Sequence, residues 1–258
     1  MLFTLVTLIG GCDLLNDIQE ELDGLTNPLV GQGIMIGIDT PDDPTLQQAI
    51  AGTDWENGGA IEIFLADATS IDNMAESPVV GAIVKATIGD NAPVRLIEDS
   101  DGSYSAFSED GLIYEEGEEI TVSVNLEGGP ALFSTILPRA PELDIDMQHS
   151  QGEKLMLDLT EYAYENVLAM VINTQTQAIV WSNEPSTPQE IYDFTHSDSF
   201  VDRLEIPGTA FANQGVYAVG VAGLVVGDAE QFDNMNTLLS SIMTGKMSLF
   251  PVSTIEMP

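Results

Sequence analysis

The chain has 258 residues, of which 42 are acidic and 6 are basic, so its formal net charge at pH 7 is -36. Nucleic-acid binding depends on Lys and Arg side chains that displace counterions from phosphate, so this charge nearly excludes that class of function. Because 44% of the residues are hydrophobic, the chain can still bury a packed core. A saline habitat and a simple need for solubility both explain the acidity.

The N-terminus combines an apolar run with the only cysteine of the chain, Cys12. Residues 1–11 end in Ile9, Gly10 and Gly11, which give a peptidase access to the bond before the cysteine. This arrangement resembles the lipobox of bacterial lipoproteins, in which the cysteine is diacylated and becomes the new N-terminus. The resemblance implies a signal peptide over 1–11 and a membrane partner reached through lipid on Cys12. It also implies a place in the bacterial cell envelope, facing the periplasm or the cell exterior.

Residues 12–32 are predicted to form a short helical tether. Apolar side chains recur there at helical spacing, with acidic residues between them, at Leu14, Leu15, Ile18, Leu22 and Leu25. Gly24 and Pro28 mark its end. The tether either packs on the next domain or lifts it away from the membrane.

Residues 33–138 are predicted to form a first antiparallel β-sandwich, because short β-rich runs alternate with turn residues. The predicted strands cover 34–38, 61–66, 79–88, 94–97, 104–107, 120–124 and 132–137. The order of the apolar run 78–86, the turn 101–104 and the run 114–122 resembles the transthyretin-like, carboxypeptidase-regulatory-like modules of surface lipoproteins. The resemblance implies a fold and an extracytoplasmic setting, and it implies no reaction.

The stretch 138–152 combines two prolines, polar residues and a glycine, and this composition predicts a linker between two domains over 139–153. A second sandwich is then predicted over 154–258, with strands at 155–159, 167–172, 178–181, 203–206, 215–226 and 247–255. A short helix is predicted near 229–243, ended by Gly245. The fold class predicted for the whole chain is therefore mainly β, with two antiparallel β-sandwich domains in tandem and short helices.

The stretch 204–222 resembles the corner of immunoglobulin-like and fibronectin-type-III sandwiches, where a tyrosine follows a turn. The resemblance implies that the Tyr217 hydroxyl bonds a backbone group upstream and that its ring fills the core. Trp181 is predicted to be the buried aromatic residue of a central strand. Both residues are structural on this interpretation.

No catalytic signature stands out in the sequence. The chain has two histidines, His149 in the predicted linker and His196 beside Thr195 and Ser197, and neither accompanies a glycine-framed nucleophilic serine. Phosphate-cradling loops are absent, and Cys-type or His-type zinc sites lack ligands. Paired carboxylates for glycoside hydrolysis carry no signal in a chain with 42 acidic residues. The sequence therefore predicts no enzyme activity and no cofactor.

One acidic segment suggests a calcium site. Residues 98–111 place Asp99, Asp101 and Asp110 around glycine turns, and calcium prefers six to eight oxygen ligands. The alternative is a β-turn in which Asp101-Gly102 supplies the left-handed conformation between two strands. Calcium is thus the one metal considered for this chain.

The combined interpretation is a lipid-anchored, extracytoplasmic protein that acts as a non-catalytic binding or structural module of the bacterial envelope. An envelope protein or a glycan is the expected partner, because sandwich domains hold recognition loops on a rigid scaffold. The first alternative is an accessory subunit of an envelope transport or secretion complex. The second is a polysaccharide-active hydrolase, which needs an aromatic cleft and a carboxyl group of raised pKa.

Overall fold

The computed structural model describes residues 29–39, 41–51, 58–67, 78–99, 102–126, 129–143, 145, 147–162, 164–184, 194, 201–228 and 240–255. Within these ranges the chain is mainly β-strand, and the predicted fold class is confirmed. None of the helices in the described part is long and apolar enough to cross a membrane. Cys12, the predicted signal peptide over 1–11 and the predicted helix over 13–25 lie outside the described residues.

The strands follow the β-rich runs of the sequence closely. Their bounds are β1 Leu29–Ile38, β2 Gly59–Asp67, β3 Ile83–Ile88, β4 Val94–Arg95, β5 Ile97–Glu98, β6 Ser103–Phe107, β7 Glu119–Leu126, β8 Gly129–Ile136, β9 Gln148–Ser150, β10 Leu155–Asp158, β11 Asn166–Asn173, β12 Ala178–Ser182, β13 Arg203–Ile206, β14 Gly215–Asp228 and β15 Ser241–Ile255. One α-helix, α1, covers Pro44–Ile50. Single-turn 3-10 helices follow β6 and β13.

The strands form one large sheet and two smaller ones. The large sheet has the order β12-β11-β14-β15-β1-β2-β6-β5, with β9 also paired to β15. A four-stranded sheet, called the small sheet below, has the order β4-β3-β7-β8, and β10 pairs with β13. Strands from the first and the last parts of the chain therefore share one sheet, and the parallel pairing of β1 with β15 joins them.

Strand β15 takes part in all three apolar cores. From one face it supplies Ile242 to a first core between the large and small sheets, and Val252 to a second core under the β10–β13 pair. From the opposite face Met243 and Met247 enter a third core beneath α1. The alternation matches the two-residue period of a strand. The two predicted sandwiches are thus built against the same long strand.

The helix α1 was not predicted, although its start carries a clear local signal. Asp43 caps it, with its Oδ1 accepting hydrogen bonds from the backbone N–H groups of Thr45 (2.7 Å) and Leu46 (3.3 Å). Pro44 occupies the first turn, where a missing N–H is tolerated. The hydrogen bond from Thr45 lowers the pKa of the Asp43 carboxyl. Buried Leu46, Ala49 and Ile50 then attach the helix to the third core.

Three predicted boundaries are corrected by the strands. β1 begins at Leu29, so the last residues of the predicted tether over 12–32 are strand. β15 begins at Ser241, so residues 241–243 of the helix predicted near 229–243 are strand, while 229–239 lie outside the described residues. The predicted linker over 139–153 contains β9, which pairs with β15. In each case a distant partner strand, invisible to local patterns, decides the conformation.

The two predicted core aromatics have different outcomes. Tyr217 is 1% exposed, and its hydroxyl donates to the Asn213 carbonyl at 2.9 Å, so the predicted tyrosine corner is confirmed. The prediction for Trp181 holds only in part, because the residue packs against the second core but is not the buried aromatic of a central strand. It lies half-buried on β12, which is an edge of the large sheet among the described strands. A β-bulge beside it shifts the register, which helps explain the incomplete burial.

Candidate functional site

The chain passes from its first half to its second through residues 138–143, called the crossing segment here. Two tyrosines hold its start, one from each half. The Tyr114 hydroxyl donates to the Pro138 carbonyl at 2.7 Å, and the Tyr164 hydroxyl donates to the next carbonyl, that of Arg139, also at 2.7 Å. These bonds fix the path of a segment whose composition predicted a linker.

Both tyrosine rings rest on glycines of the large sheet. The Tyr114 ring lies against Gly37 of β1, and the Tyr164 ring lies against Gly223 of β14. A Cβ atom at either glycine would overlap the ring, so each glycine is needed for the close approach. The two glycines therefore let the tyrosine rings pack closely on the large sheet, and the tyrosines in turn position the crossing segment.

A third tyrosine, Tyr162, holds the far end of the crossing segment. Its hydroxyl donates to the Glu142 carbonyl at 2.9 Å and accepts from the Glu142 N–H at 2.6 Å. Its ring stacks on that of Tyr164, with centroids 5.3 Å apart and planes 7° apart. The Arg139 guanidinium lies 5.1 Å from the Tyr162 ring centroid, within cation–π range.

An open groove of about 610 Å³ runs between the crossing segment and β15. Its lining consists of residues 247–250 of β15, called the floor here, and of two groups called the walls, Asp39 with Pro41 and residues 141–143. The Ser248 hydroxyl donates to the Pro141 carbonyl at 2.7 Å and attaches one wall to the floor. The floor residues are mainly apolar and alternate between the two faces of β15, and each wall carries one acidic residue, Asp39 or Glu142.

A lysine at the edge of the groove pairs with two carboxylates. Lys246 Nζ lies 2.9 Å from Asp39 Oδ2 and 2.8 Å from Glu116 Oε1, with 12% of its side chain exposed. Burial alone would lower the pKa of Lys246, but its hydrogen bonds to Glu116 and Asp39 outweigh that and raise it. The Asp39 side chain remains 77% exposed, so a ligand in the groove can still reach it.

The tyrosines that hold the crossing segment are poor acids. Burial, together with the nearby Tyr162, raises the pKa of Tyr164 to about 12. Burial, with the nearby Glu116 carboxylate, raises the pKa of Tyr114 well above its usual range. Both hydroxyls therefore keep their protons, and remain hydrogen-bond donors, throughout the physiological pH range.

Two of the three predicted calcium ligands, Asp99 and Asp110, lie at opposite ends of β6. Asp99 begins the turn before β6, where the Gly102 N–H donates to the Asp99 carbonyl at 3.3 Å and Gly102 has a φ of 81°. Asp110 lies beyond the other end of β6, and its Oδ2 accepts from the Phe107 N–H at 2.9 Å. Asp101 lies outside the described residues. The geometry matches the β-turn alternative, and within the described residues no group of three potential ligands occurs.

One of the two histidines, His149, lies within the described residues. His149 Nε2 hydrogen-bonds with the Glu153 carbonyl at 2.8 Å, and its ring meets the Phe211 ring edge-on at 4.9 Å. His196 lies outside the described residues. Backbone and core contacts thus account for His149.

Comparisons with known proteins give only distant similarity. No protein-family model and no curated protein sequence matches the chain. Among solved structures, domains A168–A170 of titin match with a TM-score of 0.24 and 11% identity, over 76% of this chain and 59% of that one. The FN1–FN3 domains of chicken CNTN1 match with a TM-score of 0.20 and 11% identity, over 76% and 62% of the two chains. The chain thus spans less than two thirds of either structure.

The class of protein is defined by the chain's own sheets, as a mainly β protein in which a mostly antiparallel large sheet, with β1 and β9 parallel to β15, packs face to face against the smaller sheets. Sequence reasoning found the strands but missed the groove and the three tyrosines around it. The available signals were the Tyr-x-Tyr pair at 162–164 and single glycines within strongly apolar runs. Neither signal identifies the distant aromatic ring that packs against a given glycine.

Proposed function

We propose that this chain is a non-catalytic binding module of the bacterial envelope, and that its groove takes an extended peptide segment of a partner protein. The observation that supports the proposal is the groove itself, with its fixed walls and its apolar floor. The lipoprotein resemblance around Cys12 supplies the location, with lipid as the membrane attachment. The transthyretin-like resemblance of the first half fits the same extracytoplasmic setting.

The chemistry of the groove selects the kind of segment. Leu249 and Phe250 on the floor and Leu143 on the wall offer apolar contact, which favours Leu-like side chains. Asp39 and Glu142 give the groove lining two carboxylates, which favour a Lys or Arg side chain in the ligand. A segment that alternates apolar and basic residues satisfies both requirements, because alternate residues of an extended chain point to opposite sides.

Isothermal titration with synthetic ten-residue peptides tests the groove. A peptide of alternating Leu and Lys is expected to bind the full chain, and a peptide of alternating Leu and Glu is not. Glu142→Gln removes one wall carboxylate while its backbone bonds to Tyr162 stay, so binding weakens about tenfold. Glu109→Gln, an exposed carboxylate on the 3-10 turn after β6, is the matched control and leaves binding unchanged.

Equal binding of both peptides, or equal loss with Glu142→Gln and Glu109→Gln, contradicts the groove as the site. The anchor is tested separately with Cys12→Ala in cells. The expected result is that the wild-type protein sediments with membranes and the variant is released in soluble form. A variant that still sediments after a salt wash contradicts lipidation at Cys12.

A further inference from the structure

Two of the few basic residues of this chain lie directly opposite each other on the small sheet. Lys85 of β3 is the register partner of Arg95 of β4, and both side chains are exposed. The adjacent pair is hydrogen-bonded, because the Leu96 N–H donates to the Val84 carbonyl at 3.0 Å. In an antiparallel sheet the next pair is then of the non-hydrogen-bonded kind, in which opposite side chains come closest, about 4.5 to 5.5 Å between Cβ atoms.

This arrangement costs stability. Like charges directly opposite each other in a sheet repel. Within the described residues the ion pairs are made by Lys154 and Lys246, and neither Lys85 nor Arg95 has one. A chain with 42 acidic residues and 6 basic ones thus holds two cations together without a carboxylate partner in the described structure. Unfavourable local choices of this kind concentrate at functional sites.

The surface around the two cations is rich in hydroxyl groups. In the strand pairing Ser123 lies next to Lys85, and Thr87 lies next to Thr121. The one carboxylate at an outward position of the described small-sheet strands is Glu119, four residues from Ser123 along β7. At about 3.3 Å per residue that separation is about 13 Å. The face therefore combines a cationic pair with hydroxyl groups and with two exposed isoleucines, Ile83 and Ile136.

We propose that this outer face of the small sheet binds an anionic polysaccharide, with one carboxylate or sulfate group held between Lys85 and Arg95. Two adjacent cations match a single compact anion, and the ligand removes their mutual repulsion. The Thr87 and Thr121 hydroxyls can donate and accept, and the Ser123 hydroxyl, which donates to the Lys85 carbonyl at 3.5 Å, can still accept, so these groups match the hydroxyl groups of sugar rings. Charge complementarity thus selects an anion, and the hydroxyl-rich surroundings favour a sugar chain over an acidic peptide.

The net charge of -36 gives this binding an unusual salt dependence. At low salt the whole protein repels a polyanion, because the Debye length is about 30 Å at 0.01 M. At 0.15 M it falls to about 8 Å, which screens the distant carboxylates more than the contacts with the cationic pair. Binding is therefore expected to strengthen between these two concentrations, whereas ordinary polyanion binding weakens.

The outer face of the small sheet is tested by measuring the affinity of the full chain for two charged probes, polygalacturonate and dextran sulfate. Neutral dextran serves as the blank. The double variant Lys85→Gln/Arg95→Gln is expected to bind at least about tenfold more weakly at 0.15 M salt. Lys154→Gln, which removes an exposed lysine elsewhere, is the matched control and keeps wild-type affinity. The double variant is also expected to melt no lower than the wild type, because a repulsive pair is gone.

Two results overturn the assignment. One is unchanged affinity of the double variant for both charged probes. The other is polyglutamate binding as tightly as polygalacturonate, which would identify an acidic peptide as the ligand. The groove variant Glu142→Gln is expected to bind the polysaccharides normally, so failure of the groove and failure of this face are distinguishable.

Discussion

The first half of the chain closes its core with the four-stranded small sheet, whereas the second half closes its core with the β10–β13 pair and the tyrosine corner at Tyr217. Both cores use the same face of β15, and each half sends one tyrosine to the crossing segment. Two different sandwiches are therefore joined by the shared strand β15 and by the crossing segment that the two tyrosines hold. We infer that neither half is complete alone, although their local sequence patterns suggest separate domains.

The largest expected effect is a loss of stability at high pH, which depends on Tyr164 in the second half of the chain. The pKa of an unfolded tyrosine is about 10, whereas the pKa of Tyr164 is raised to about 12 in the folded chain. The unfolded state therefore loses this proton first, so stability is present below about pH 10 and is lost as the pH rises towards the folded pKa. Urea unfolding from pH 8 to pH 12 is expected to show this loss. In Tyr164→Phe the loss is expected to be shallower, and an identical slope contradicts the role of this tyrosine.

The next largest effect on stability is expected at Gly223, the glycine against which the Tyr164 ring packs. Gly223→Ala places a methyl group where the Tyr164 ring lies, and such overpacking costs about 1 to 3 kcal/mol. The free energy of unfolding in urea measures it. The control is the same substitution in a Tyr164→Ala background, where the ring is gone and the added cost is expected to vanish. A cost that is equal in both backgrounds contradicts the ring-on-glycine contact.

The next prediction concerns the hydroxyl bonds by which Tyr114 of the first half and Tyr164 of the second half hold the crossing segment. Tyr114→Phe leaves the Pro138 carbonyl without this donor, and Tyr164→Phe does the same to Arg139, so each is expected to cost about 1 kcal/mol. The double variant measures their coupling in a double-mutant cycle. Because the two carbonyls are consecutive, a non-additive result is expected. Strict additivity would mean that the two halves hold the segment independently.

The smallest effect is expected for the ion pairs of Lys246. Its partners Asp39 and Glu116 are 77% and 44% exposed, so both return to water when Lys246→Met removes the charge. A loss of under about 1 kcal/mol that shrinks with added salt is expected in urea unfolding. Lys154→Met, at the exposed pair with Glu205, is expected to change less. A larger loss that salt does not alter would point to packing of the lysine stem instead.

Sequence reasoning predicted the features that neighbouring residues determine, and it missed the contacts between residues far apart in the chain. The bounds of β13 at Arg203–Ile206 and the hydroxyl bond of Tyr217 followed from nearby residues, since the tyrosine and its acceptor are four positions apart. The pairing of β1 with β15 joins residues about two hundred positions apart, and no local pattern encodes it. The Asp43 cap of α1 was available and overlooked.

The candidate site was less predictable than the fold. The crossing segment has the composition of a linker, and its rigidity comes from Tyr114, Tyr162 and Tyr164, which lie on elements before and after it. The Lys85–Arg95 pair becomes visible only when the register of β3 and β4 is known. Sites assembled by strand pairing depend on register, which one sequence specifies only through its hydrophobic alternation.

Differential scanning calorimetry of the full chain tests the shared sheet most directly. One cooperative transition is expected, with equal calorimetric and van't Hoff enthalpies, because both halves are built on β15 and cannot unfold separately. Two separable transitions, one for residues before the crossing segment and one for residues after it, would contradict the shared sheet and restore two tandem domains.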